Sequence, residues 1–132
     1  STSRRQRQMC IRDSIGDSPV IGAGTYADNN SCAVSCTGHG EYFIRHAVAF
    51  DVCARYKYLK ESVEKAADYI IHTELNTNAG NGGLIAVDKL GNIAMPYNSG
   101  GMFRGFLYKE KGSPEIKKGC GIGKKIVVVG EK

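Results

Sequence analysis

Thr37-Gly38-His39-Gly40 is the stretch best suited to chemistry. It sets a hydroxyl at the end of a strand-like run (32–36) and two glycines around one residue, and a long helical pattern begins at Glu41. Glycines let the backbone turn sharply and approach a ligand with no Cβ in the way. The N–H groups that open a helix lack intrahelical partners and point into such a turn. The arrangement suits an anion, or a carbonyl oxygen becoming one. On spacing alone, a plain tight connection between strand and helix is the simpler reading. The Lys-Ser/Thr ending of a P-loop is absent, and position 43 is Phe where a dinucleotide fingerprint needs a third glycine. The turn by itself leaves its role open.

Few other residues invite a chemical role. Asp17 lies in Gly16-Asp17-Ser18-Pro19, a turn in which Asp and Ser can bond nearby backbone and Pro fixes its own φ, so taken alone it reads as a turn cap. His46 and His72 each stand singly in helical patterns and are assigned nothing. Five cysteines, with no Cys-x-x-Cys pair and no matching His spacing, give no zinc site. Cys32 and Cys36 share one face of a strand, which suits buried thiols better than a bridge and a reducing compartment better than an oxidising one.

The elements that position these residues follow from periodicity. Short strands are expected at 20–26 and 31–36, a first helix at 41–56 and a second at about 62–73 with Ser62 as N-cap. Phe43, Ala47, Phe50 and Ala54 make one apolar stripe of the first helix, with Ile44, Val48 and Val52 beside it. A buried strand at 83–88, a hairpin turn at 89–92, its partner at 93–96, a loop at 97–101 and strands at 103–109 and 126–129 complete the chain. Two strands, two helices and then mostly antiparallel strands predict an α+β domain with helices on one face of a sheet.

Composition bounds the rest. The 132 residues make one domain or part of one, 42% apolar, with no run long enough to span a membrane. The net charge of +5 is unevenly placed: residues 1–14 hold +3 and the remainder +2. The C-terminal lysines have no aromatic interleaving, so nucleic acid is not an expected partner. Residues 1–14 are polar and aperiodic, with no apolar h-region for a secretory signal, and their Arg-rich, acid-poor character gives only a weak transit-peptide signal. The run Arg-Gln-Arg-Gln-Met-Cys-Ile-Arg-Asp-Ser resembles translated sequencing-adapter read-through, so 1–14 is expected to be foreign and 15–132 the genuine domain.

Four blocks in order resemble one family: Ile15-Gly16-Asp17-Ser18-Pro19 through Ala27, Cys36-Thr37-Gly38-His39-Gly40-Glu41, Gly82-Gly83-Leu84-Ile85-Ala86-Val87-Asp88, and Met95-Pro96-Tyr97-Asn98-Ser99-Gly100-Gly101-Met102-Phe103-Arg104. They are similar to the β-subunit of plant-type L-asparaginases and isoaspartyl peptidases, which are N-terminal nucleophile hydrolases. The resemblance covers about 15 to about 110. It implies an αββα sandwich, cut from one precursor into α- and β-subunits whose αβ units pair, acting on L-asparagine or β-aspartyl dipeptides through a threonine nucleophile.

By motif position, the Thr37 hydroxyl and Gly38 N–H would form the oxyanion hole, and Asp17 with the Gly40 carbonyl would hold the substrate α-ammonium. No cofactor, metal, membrane or nucleic acid is implied, and a cytoplasmic location is expected. The family's carboxylate-clamping Arg precedes the position of Ile15; here that residue is Ser14, and Arg12 is out of register. The nucleophilic Thr belongs further upstream, where nothing matches, and neither Ser1 nor Thr2 replaces it. The chain alone is therefore expected to be inactive, with sheet edges and the inner faces of both helices open to solvent. Glycosylasparaginase, which shares two of the motifs, and a non-catalytic anion-binding domain are the alternatives.

Overall fold

The computed structural model describes residues 18–109, 112 and 116–122, and the backbone of 127–130. The expectations for 1–14, and for Ser14, Ile15, Gly16 and Asp17, lie outside the described residues. What is described is mixed helix and strand, as the α+β reading requires. Strands β1 (Thr25–Ala27), β2 (Cys32–Gly38), β3 (Gly82–Asp88) and β4 (Ile93–Ala94) form an antiparallel sheet in that order. Strands β5 (Phe103–Lys109), β6 (Ile116–Ile122) and β7 (Val127–Gly130) form a second antiparallel sheet.

Strand alternation explains how the first sheet is covered. Cys32, Val34 and Cys36 of β2 are buried, whereas Ala33, Ser35 and Thr37 are exposed on the other face. Onto the buried face fold α1 (Gly40–Arg45), α2 (Val48–Tyr58), and α3 (Val63–Tyr69) with its π-helical continuation Ile70–Leu75. Phe43, Val48, Val52, Val63, Ile71 and Leu75 are wholly buried there, each contributing roughly 1.5–3 kcal/mol by leaving water. The inner faces of the helices are thus not open, contrary to expectation, because the sheet itself covers them. The opposite sheet face leaves apolar side chains in water, with Ile85 and Val87 49% and 44% exposed.

Three elements depart from their periodicity. The expected first helix is broken between Arg45 and Val48, with Ala47 in the left-handed region at φ 46°. The break creates a second helix start whose Ala49 and Phe50 N–H groups donate to the carbonyls of Ala23 and Gly22 at 3.0 and 2.8 Å. The helix thereby docks on the segment before β1, a gain that helical periodicity cannot register. Ser62 caps the second helix as expected, accepting the Lys65 N–H at 3.2 Å. The strand expected at 20–26 is mostly turn, with the Val20 carbonyl accepting N–H groups from residues 23–25. Strand β6 was not anticipated in a Gly/Lys-rich stretch; pairing with β5 on one side and β7 on the other makes it.

Charged groups stitch the layers together. Arg55 on α2 has its guanidinium 3.6–3.7 Å from the carboxylates of Asp51, Glu61 and Glu74 and 3.9 Å from the centre of the Tyr69 ring. Lys57 reaches Asp28 at 2.9 Å, tying α2 to the turn between β1 and β2. Among the described residues no helix is long and apolar enough to cross a membrane.

Asp88 ends β3 and organises the hairpin to β4. Its carboxylate accepts the Leu90 and Asn92 N–H groups at 2.8 and 2.9 Å and the Asn92 amide at 2.7 Å. Burial pushes its carboxyl pKa up, but the bonds from Asn92 and Leu90 outweigh that and hold it below the ordinary value. A group whose folded pKa is depressed adds stability above its unfolded pKa of about 4 and loses it as pH falls through the folded value. Asp88→Asn is expected to lower the urea midpoint at pH 7 and to flatten the further loss between pH 4 and pH 2. Parallel urea titrations of both proteins at the three pH values check this.

Candidate functional site

The site is set by how the ends of β2 and β3 meet. Gly38 and Gly82 are cross-strand partners. A Cβ on Gly38 would collide with the Asn81 carbonyl and the Gly82 Cα, and one on Gly82 with the Thr37 carbonyl. The Phe43 ring lies over the pair, within 3.0 Å of where either Cβ would be. Gly38 also sits at φ +148°, which side-chain-bearing residues rarely adopt. The glycine turn therefore makes room for a buried ring while the chain passes from strand to helix.

The backbone bonds then decide where Gly38 points. The Gly82 N–H donates to Asn98 Oδ1 at 2.8 Å, and the Gly82 carbonyl accepts the Asn98 N–H at 2.9 Å. A residue of an antiparallel strand that bonds to one side is a non-bonded partner on the other. Gly38 accordingly directs its N–H away from β3, toward the opposite edge of β2. On that same edge the Cys36 N–H donates to the Gly24 carbonyl at 2.8 Å, and the Cys36 carbonyl accepts the Ser18 hydroxyl at 3.1 Å.

Ser18 therefore pins the turn that follows Asp17 beside the end of β2. Thr37 and Gly38 are both exposed there, and Gly40 follows as the first residue of α1. Thus Thr37, Gly38 and Gly40 lie together at one corner of the sheet, with the described end of the Asp17 turn against it. Asp17 itself is outside the described residues. His39 has no side-chain capping bond, and its N–H donates to the Asn81 carbonyl at 2.8 Å, fastening the turn to the loop before β3.

Asn98 is a positioning residue that motif order contains but to which residue-type reasoning assigned no role. Besides its two bonds to Gly82, its amide nitrogen donates to the Gly80 carbonyl, Asn76 Oδ1 and the Ile71 carbonyl at 2.9, 2.8 and 3.3 Å. It locks the loop that holds Gly82 under Phe43. The signal available in sequence was an Asn followed closely by Gly100-Gly101, which marks a loop without saying what it braces.

A cavity of about 650 Å³ opens on the helix side, lined by Asp68, His72, Asn76, Tyr97, Asn98 and Arg104. It contains none of Thr37, Gly38 and Gly40; within it His72 lies 3.4 Å from Asp68, both substantially exposed to solvent. The chemistry of donors at a turn belongs to the β2 corner rather than to this cavity. Among the described residues no group of three His, Cys, Asp or Glu side chains converges as metal ligands would.

The family model described as "Asparaginase" matches residues 6–116. The chain is 50% identical over 94 residues to an isoaspartyl peptidase of Salmonella typhimurium, covering 71% of this chain and 30% of that protein. It is 44% identical over 108 residues to an isoaspartyl peptidase of Escherichia coli, covering 74% and 34%. A probable isoaspartyl peptidase/L-asparaginase 2 of Arabidopsis thaliana is 50% identical over 91 residues, covering 69% and 27%. The chain spans about a third of the length of these relatives.

Replacing Asn98 by Ala leaves the Gly82 N–H without its acceptor, an omission that costs about 1–3 kcal/mol when buried. The expected result is a loss of that size in chemical denaturation, with faster hydrogen exchange at the Gly82 amide than at Ala86.

Proposed function

The chain belongs to the asparaginase family, and from that premise we propose that it forms the oxyanion and α-amino side of an amidase pocket. The parent protein, on this reading, hydrolyses the side-chain amide of L-asparagine and β-aspartyl peptide bonds. The observation that carries the proposal is the Ser18–Cys36 bond, which sets the first motif against the second although 18 residues separate them. Two blocks that matter only together are brought to one corner.

The chemistry assigns each group a task. A threonine nucleophile, matched to no residue of this chain, loses its proton to its own α-amine and attacks the carbonyl carbon. Negative charge develops on the carbonyl oxygen. The Gly38 N–H and the Thr37 hydroxyl donate to it from a turn that needs no reorganisation. Collapse of the tetrahedral adduct expels ammonia or the peptide amine, which takes the proton, and leaves a β-aspartyl ester that water then hydrolyses. Asp17 and the Gly40 carbonyl hold the substrate α-ammonium through charge-assisted bonds, selecting substrates with a free α-amino group.

The same reading extends to the assembly. The exposed face of β2 and β3, with Ile85 and Val87, would be covered by a second sheet in a four-layer αββα sandwich completed by an α-subunit, and two αβ units would pair. By itself the chain would not hydrolyse amides. The parent protein is placed in the cytoplasm, where cysteines remain thiols. Residues 1–14 are read as foreign, although the family match begins at residue 6. Genomic sequence that carries an Arg codon directly before Ile15 is the expected finding; genomic confirmation of 1–14 would make them the chain's own.

The decisive assay is release of aspartate from a β-aspartyl dipeptide by the full-length, self-cleaved protein. Thr37→Ala is expected to lower kcat by about 10²–10³-fold, the usual effect of losing one oxyanion donor, while cleavage into subunits proceeds. Activity on glycosylated asparagine alone, or no hydrolysis after cleavage, would overturn the proposal.

A further inference from the structure

Cys32, the first residue of β2, and Cys53, in the middle of α2, come together in the core with their sulfurs 2.7 Å apart. That distance lies between a covalent S–S bond of about 2.05 Å and ordinary van der Waals contact. The Cys53 thiol is also 3.2 Å from the Cys32 carbonyl, to which it donates. Both residues are buried, at 3% and 2% exposure, and both are free thiols. Cys36 lies on the same buried face of β2 as Cys32.

We propose that Cys32 and Cys53 are a reversible redox site, closing to a disulfide that clamps β2 to α2. The bridge would span residues 33–52, a loop that contains the whole Thr37–Gly40 turn and α1. The oxidant is a peroxide small enough to enter the hollow of about 250 Å³ that Cys32 lines with Asp28, Ser31 and Asp88. In the first step the Cys32 sulfur, which faces the hollow, attacks one peroxide oxygen, the O–O bond breaks, and the thiol proton leaves with the other oxygen as water. This leaves a sulfenic acid on Cys32. The Cys53 sulfur then attacks the Cys32 sulfur, the S–O bond breaks, and the departing hydroxide takes the Cys53 proton as a second water. Two thiols are oxidised and one hydrogen peroxide is reduced to two waters.

The order of attack follows from access. Cys32 lines the hollow and Cys53 does not, so the peroxide meets Cys32 first and Cys53 closes the bridge from the helix side. A cytosolic disulfide of this kind is transient and reports oxidation rather than stapling the fold permanently.

The test uses the whole chain with Cys120→Ser, which removes the one thiol exposed among the described residues. The protein is treated with hydrogen peroxide under native conditions, alkylated in denaturant and mapped by mass spectrometry. The expected result is one cross-linked peptide pair joining Cys32 to Cys53, lost on dithiothreitol treatment and absent in Cys53→Ala. Oxidation should also raise Tm by on the order of 10 °C, as closing a loop of this length does, and leave Cys53→Ala unmoved. Full alkylation of both cysteines after peroxide, a bridge to Cys10 or Cys36 instead, or sulfinic acid without a cross-link would overturn the proposal. If Cys53→Ala does not fold, the peptide map of the parent decides alone. The readout is thiol chemistry, so its outcome is independent of whether the chain belongs to an amidase pocket.

Discussion

The structure depends on one close approach: two glycines facing each other across β2 and β3, with a phenylalanine ring laid over them. Gly38 and Gly82 can pair only because neither carries a Cβ, and Phe43 is wholly buried because both leave it room. The consequence runs through the backbone rather than the side chains. With β3 held to Asn98 on its far side, Gly38 is left to direct its N–H toward the β1 side of β2. If Gly38 serves as the proposed oxyanion donor, its direction is fixed by strand pairing and needs no rearrangement as charge develops.

The helix layer serves that corner. Phe43 belongs to α1, and α1 ends at once, because Ala47 takes a left-handed conformation and α2 starts anew on the carbonyls of Gly22 and Ala23. The break thus couples the turn to the segment before β1, and Ser18 couples the same segment to the end of β2. Arg55 braces the opposite end of the layer, shared among three carboxylates and a tyrosine ring. A partly buried guanidinium among several acids has many ways to stay paired as side chains shift, which suits a position that joins α2 to both ends of the next helix.

The two faces of the first sheet differ in kind. One is sealed by helices and contains the thiol pair; the other exposes Ile85 and Val87 alongside Thr37. Alternation along β2 sends Cys32, Val34 and Cys36 one way and Ala33, Ser35 and Thr37 the other. The strand therefore carries its packing residues and its candidate chemical residue on opposite sides. A change to the packing face would act on Thr37 only through the position of the strand, not through direct contact.

Much of this was legible in the chain as written. The order of four blocks pointed to the family, and alternation and helical spacing located β2, β3, β5 and the Ser62 cap, because those signals depend on residues a few positions apart. Thr37 at a strand end before a glycine turn was readable for the same reason. The helix break at Ala47, strand β6, the outward direction of the Gly38 N–H and the meeting of Cys32 with Cys53 were not. Each is decided by partners far along the chain: Gly22 and Ala23 for the helix, β5 and β7 for the strand, Asn98 for the glycine, and a strand packed on a helix for the thiols. Local sequence set what each residue could do, and tertiary packing chose which neighbour it would do it with.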